Sequence, residues 1–173
     1  MKKDDETFTE NLIKGRIAET IVEQLFKVSE YEVFRFGMES ALPAITGRLT
    51  KNNKLSGKQA SINTPVTKKI RFMPDFIMKE DDNVFFVEAK FRANGKLAIS
   101  DLTEQYPYKD AYIILISPKS IKCISVTELE EHTITECDNR HLHNHDVFKN
   151  KIKENVVKKH LQIAQKFYLT KET

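Results

Sequence analysis

Cysteine is scarce in this chain: Cys123 and Cys137 are the two among 173 residues. That is too few for a disulfide scaffold and suits a reducing compartment. Long apolar runs are missing as well, and none approaches the roughly 18–20 residues that span a bilayer. The opening residues Met1-Lys2-Lys3 run into Asp4, Asp5 and Glu6, where a secretory leader needs an apolar stretch. There is no Gly-rich phosphate loop, no Gly-x-Ser-x-Gly elbow and no Cys-x-x-Cys pair, so nucleotide-driven and serine-hydrolase chemistry have no support. These absences argue against a membrane protein, a secreted miniprotein and a collagen-like fibre. The expectation is a soluble cytoplasmic protein with no membrane partner and no nucleotide cofactor.

What is present is the balance of a globular chain, 40% apolar and 31% charged. At about 100–200 residues per domain, one domain spanning residues 1–173 is expected. A chain of this size buries about 70% of its unfolded surface and can build a core unaided. Net charge is only +3, but its distribution is uneven. No acid occurs between Glu39 and Asp75, while Arg48, Lys51, Lys54, Lys58, Lys68, Lys69 and Arg71 carry seven positive charges. From Lys149 to Thr173, seven lysines face two glutamates. Such zones can bind phosphate or serve as solvated surface.

Residues 9–28 read as a helix with Thr9 at its N-cap, and Leu12, Ile13, Ile17, Ile21, Val22, Leu25 and Phe26 recur at helical spacing. Residues 31–36 alternate as a strand ended by Gly37, and 40–67 form a long basic loop with many Lys, Asn, Ser and Thr residues. Strands near 68–79 and 84–91 flank the turn Glu80-Asp81-Asp82-Asn83. A short helix over 99–106 starts near Ser100 and meets Pro107. The apolar run 111–116 is the signature of a strand covered on both faces, Ser117-Pro118 breaks it, and 121–126 alternates as another strand. A last helix over 147–168 buries Val147, Phe148, Ile152, Val156, Val157, Leu161, Ala164 and Phe167. The sum is an α/β fold, a central mixed β-sheet flanked by α-helices.

Chemistry concentrates in Met73-Pro74-Asp75-Phe76 and in the strand Phe85-Phe86-Val87-Glu88-Ala89-Lys90. Residues two apart share a strand face, so Glu88 and Lys90 lie with Val84 and Phe86, opposite Phe85, Val87 and Ala89. Both faces are apolar, and burying a carboxylate and an ammonium there costs several kcal/mol unless they are paired or bind a metal. If Lys79 faces Val84 across the turn, Asp75 falls opposite Glu88, with Cβ atoms about 4.5–5.5 Å apart. Two such carboxylates repel unless a cation sits between them. Oxygen donors beside a lysine suit Mg²⁺ or Mn²⁺ better than zinc.

On Pro74-Asp75 followed by Glu88-Ala89-Lys90, the chain resembles the PD-(D/E)XK nuclease superfamily. Gly15-Arg-Ile-Ala-Glu19 is similar to the acidic-helix motif of its Holliday-junction-resolvase-like and exonuclease-like branches. The resemblance implies a restriction-endonuclease-like core (αβββαβ) over about 9–126, with the loop at 40–67 and the C-terminal helix outside it. It implies a Mg²⁺ or Mn²⁺ ion held by Asp75, Glu88 and the Ala89 carbonyl, with Glu19 completing the site and Lys90 placing the attacking water. The expected activity is phosphodiester hydrolysis in DNA. The alternative is a catalytically inactive nucleic-acid-binding or assembly module of the same fold. Gln105 and Tyr108 fall where some branches place a Gln and a Tyr near substrate, and the basic loop would hold the backbone. A homodimer is expected if both strands of a duplex are cut.

His141, His143 and His145, with Cys137 upstream, could count as four zinc ligands, but their spacing matches no common structural zinc pattern. They read more simply as a polar loop, with Asp146 capping the final helix.

Overall fold

The alternation of β-branched and aromatic residues between turn signals produces five strands, and two long helices supply the apolar faces that cover them. The computed structural model describes residues 2–36, 69, 72–102 and 106–168, with the backbone alone for 2–7. In chain order the elements are α1 (Lys2–Val28), β1 (Glu32–Arg35), β2 (Phe76–Glu80), β3 (Asn83–Phe91), β4 (Tyr112–Ile116), β5 (Ile121–Ser125), α2 (Val126–Glu131) and α3 (Glu154–Tyr168). Single 3₁₀ turns occur at Ile99–Asp101 and Leu142–Asn144. The five strands form one sheet in sequential order. Neighbours are antiparallel except β3 and β4, which are parallel. Parallel neighbours need a crossover, and residues 92–111 provide it.

The sheet is covered on both sides. α1 and α3 bury Ala18, Ile21, Val22, Leu25, Phe26, Val157 and Ala164 against Phe76, Met78, Val87, Ile114 and Ile116 on one face. The crossover and α2 bury Leu97, Leu102, Tyr106, Val126 and Leu129 against Ile113, Leu115 and Ile124 on the other. β4 therefore sends alternate residues into two cores, which explains its unbroken apolar run. Each buried Val, Leu, Ile, Phe or Met among them contributes about 1.5–3 kcal/mol.

Several boundaries differ from the sequence expectation. α1 starts at Lys2, and Thr9 lies inside it, because the preceding residues contain no helix breaker. Leu12 and Ile13 are exposed, since the sheet meets α1 only from Ile17 onward. The helix stops where Glu30 takes a positive φ of 65° and the Tyr31 N–H reaches back to the Phe26 carbonyl at 3.1 Å. β2 starts at Phe76, just after Pro74, which has no N–H for a ladder. The hairpin turn is Asp81-Asp82 alone, because Glu80 already pairs with Asn83.

At 99–101 a 3₁₀ turn is capped by Ala98, whose N–H donates to Asp101, so Ser100 is not the N-cap. Strand β5 ends at Ser125, whose hydroxyl accepts from the Glu128 N–H while Glu128 bonds back, opening α2. The last helix begins at Glu154 rather than 147. Residues 146–150 are turns, in which Ile152 N–H still reaches the Phe148 carbonyl at 2.9 Å, and that i, i+4 bond mimics helical spacing. Asp146 therefore caps no helix and pairs with Lys149. Phe167 is exposed rather than buried. No helix among the described residues is long and apolar enough to cross a membrane.

Candidate active site

The β2–β3 register decides the geometry of the site. Lys79 pairs with Val84, Ile77 with Phe86 and Phe76 with Val87, so one further step sets Asp75 against Glu88. Asp75 lies just before β2, and its Oδ2 accepts the Ala89 N–H at 2.9 Å. Strand alternation continues Ile77 and Phe86 into Asp75, Glu88 and Lys90 on the face that carries Tyr106 and Leu115. Lys90 Nζ donates to Glu88 Oε1 at 2.5 Å, a pair within one strand rather than between two. Lys90 is the more open of the pair, 28% exposed against 12% for Glu88, so the site meets solvent at the ammonium.

The electrostatics are unbalanced at Asp75. Burial pushes its carboxyl up to about 7, and the negative charge of Glu88 adds to that. The Ala89 N–H opposes the shift, Glu19 reinforces it, and Lys90 offsets it only in part. A half-buried carboxylate with one hydrogen bond and two acidic neighbours is short of positive charge.

Glu19 comes from α1, on the opposite side of the sheet. Its Oε2 accepts from Arg16 Nη1 at 2.9 Å and from Arg35 Nη1 at 3.2 Å. Arg35 also donates to Glu23 Oε2 at 2.8 Å and lies over the Phe76 ring at 5.4 Å. Glu19 thus acts on Asp75 at a distance, with its own charge matched by two guanidinium groups. Gly15, in the same helical segment, faces open space, and an added Cβ would meet nothing within 4 Å. It permits no close approach of a second backbone among the described residues.

Of the expected nucleic-acid contacts, Arg48, Lys51, Lys54, Lys58, Lys68, Arg71 and Gln105 lie outside the described residues. Lys69 is exposed, and its carbonyl accepts the Tyr108 hydroxyl at 3.0 Å. Tyr108 packs on Phe86 with ring centroids 5.6 Å apart, at the margin of the site. Part of the C-terminal lysine excess is already ion-paired: Lys149 with Asp146, Lys151 with Glu80 and Lys158 with Glu154.

The histidine segment does not converge. His141 and His143 stack at 5.5 Å, while His145 is turned against Tyr112 and Phe148. Cys137 is exposed. Among the described residues, no group of three or more His, Cys, Asp and Glu side chains is placed to hold a metal ion.

Sequence reading misses Tyr106, which is 5% exposed and whose hydroxyl has no hydrogen-bond partner. The available signal is its place beside Gln105 and Tyr108. Comparison with protein-family models, with curated proteins and with solved structures returned no match.

The donor set is nevertheless one that a hard divalent cation accepts. It offers two carboxylates on facing backbone positions, one of them short of compensating charge, with an ammonium beside them. Mg²⁺ characteristically uses one or two carboxylates and keeps several waters, so a third protein carboxylate is not required.

Proposed function

We propose that this chain is a Mg²⁺-dependent, or Mn²⁺-dependent, nuclease of the PD-(D/E)XK type that hydrolyses phosphodiester bonds in DNA in the cytoplasm. The observation that carries the reading is the opposition of Asp75 and Glu88 across the β2–β3 pair with Lys90 on the same face. The order α1, β1, β2, β3, crossover, β4 supports a restriction-endonuclease-like core.

In this reading Asp75 and Glu88 attract the cation, and the Ala89 carbonyl is the further ligand that the resemblance implies. When bound, the cation polarises the phosphate and makes water a better nucleophile. Lys90 leaves Glu88 and orients the attacking water toward phosphorus. One P–O ester bond breaks as the new P–O bond forms, giving a phosphate monoester and a hydroxyl, with water supplying both protons and the oxygen. Glu19 adds negative potential from α1. Lys69 and Tyr108, with Arg48, Lys51, Lys54, Lys58, Lys68, Arg71 and Gln105, supply contacts to the nucleic acid. A homodimer would carry two such sites for the two strands.

The test is cleavage of plasmid, linear and branched DNA with and without Mg²⁺ or Mn²⁺. Metal-dependent product that disappears in Glu88→Gln and Lys90→Ala, both still folded by circular dichroism, is the expected result. Salt-sensitive DNA binding with no product under any metal would instead identify a non-catalytic binding or assembly module. Equal cutting by the two variants and the parent would remove these residues from the chemistry.

A further inference from the structure

Tyr106 is the one polar group in the crossover core that the fold leaves without an explanation. Its neighbours there are Leu97, Leu102, Ala111, Ile113 and Leu115. Its ring packs beside Tyr108 with centroids 6.1 Å apart, and Tyr108 in turn packs on Phe86. A phenylalanine would fill this place with the same ring. The hydroxyl is instead buried with no partner, a condition that costs about 1–3 kcal/mol for a polar group out of water. Of the other two such atoms among the described residues, Ser29 Oγ lies at the end of α1 and His143 Nδ1 lies in the histidine segment. Only Tyr106 belongs to the sheet face that carries Glu88 and Lys90.

Tyr106 shares its cluster with Ile113 and Leu115, the β4 neighbours of Glu88 and Lys90 in register, and the charges that bear on the phenol agree with that placement. After burial, Glu88 and then Asp75 raise its pKa most, ahead of Tyr108 and Asp110. The phenol therefore stays protonated at any ordinary pH. It is a hydrogen-bond donor, and neither carboxylate accepts from it in the free protein; Asp75 takes the Ala89 N–H and Glu88 takes Lys90.

Resting on the reading of Asp75 and Glu88 as a cation site, we infer that Tyr106 is a positioning residue. Its hydroxyl donates to a water in the hydration shell of the divalent cation that the two carboxylates attract. Mg²⁺ and Mn²⁺ bring such waters with them, and outer-shell donors of this kind orient what the carboxylates hold. The free protein thus stores an unmet hydrogen bond that the bound ion's shell completes. A purely structural tyrosine would have its hydroxyl satisfied before any ion arrives.

The experiment compares the parent, Tyr106→Phe and Asp75→Asn in two measurements: thermal unfolding in the presence of chelator, and Mn²⁺ titration with free ion read by electron paramagnetic resonance. In chelator, Tyr106→Phe should melt at or above the parent temperature, since it loses no bond. In the titration, it should bind Mn²⁺ about 10-fold more weakly than the parent, and Asp75→Asn should show no saturable binding. Equal Mn²⁺ affinity in the parent and Tyr106→Phe overturns the role of Tyr106 while leaving the cation site standing. A lower melting temperature for Tyr106→Phe in chelator also overturns it, because the hydroxyl would already be bonded. A parent that binds no Mn²⁺ overturns the cation site itself, and the inference with it.

Discussion

Lys122 is a buried charge and Asp75 a half-buried one, and they are solved in opposite ways. Lys122 is 1% exposed and sits on β5 opposite Leu115, which itself neighbours Lys90 in the next strand. Lys90 and Lys122 thus occupy one row across the sheet. Burial lowers the affinity of Lys122 for its proton, but its Nζ donates to the Thr135 and Glu136 carbonyls at 2.6 and 2.8 Å. That ammonium fastens the segment after α2 to the sheet and has its partners within the fold. Asp75 has one backbone N–H and the repulsion of its neighbours. A satisfied buried charge belongs to architecture, whereas one left short of partners makes its surroundings a candidate for a functional site.

The largest effect expected from breaking this contrast is on cleavage. Glu88→Gln or Lys90→Ala should lower Mg²⁺-dependent cutting at least about 100-fold, the scale on which a single preorganised electrostatic group acts. Gel quantitation of product checks this. Lys122→Met should do the reverse, destabilising the fold by about 2 kcal/mol through loss of two charge-assisted bonds while the folded fraction keeps its cutting rate. Urea unfolding followed by rate measurement separates the two.

Asp75→Asn sharpens the comparison further. Its carboxyl titrates near 7 when folded, against an ordinary value of 3.8, so between these pH values the folded state holds a proton that the unfolded state has released. Stability of the metal-free parent must then fall as pH rises through this window. Asparagine can still accept the Ala89 N–H and has no charge to bury. The variant should therefore equal the parent near pH 4 and exceed it by about 1–2 kcal/mol at pH 8, as read by thermal melts in chelator. The smallest effect is at Gly15: Gly15→Ala should add about 0.5–1 kcal/mol by removing backbone freedom from α1, measured by the same unfolding method.

Much of this site can be seen in the residues themselves. Alternation in Phe85–Lys90 assigns the faces of β3, and counting across a short acidic turn sets Asp75 against Glu88, whichever residues the turn contains. The run 111–116 identifies the central strand because both cores need apolar side chains from it. Longer-range features escape because their causes are tertiary. The Ser125–Glu128 capping box that opens α2 lies inside an acidic stretch, where Glu128 reads as surface charge. Phe148 and Ile152 carry helical spacing through a turn, which hides the true start of α3. Glu19 fits a helix motif, but its arginine partners include Arg35, a residue that only folding of β1 brings near. Tyr106 is hidden because the apolar residues that bury it, Leu97, Ile113 and Leu115 among them, come together only in the fold.

The parallel pairing of β3 with β4 also orders events in time. Asp75 and Glu88 meet across a hairpin that closes a short loop, whereas the wall containing Tyr106 arrives only when the long connection to β4 has docked. Non-local pairing of that kind is slow. The carboxylates should come together in the nascent fold while still bathed in solvent, and their desolvation should follow as a separate, later step.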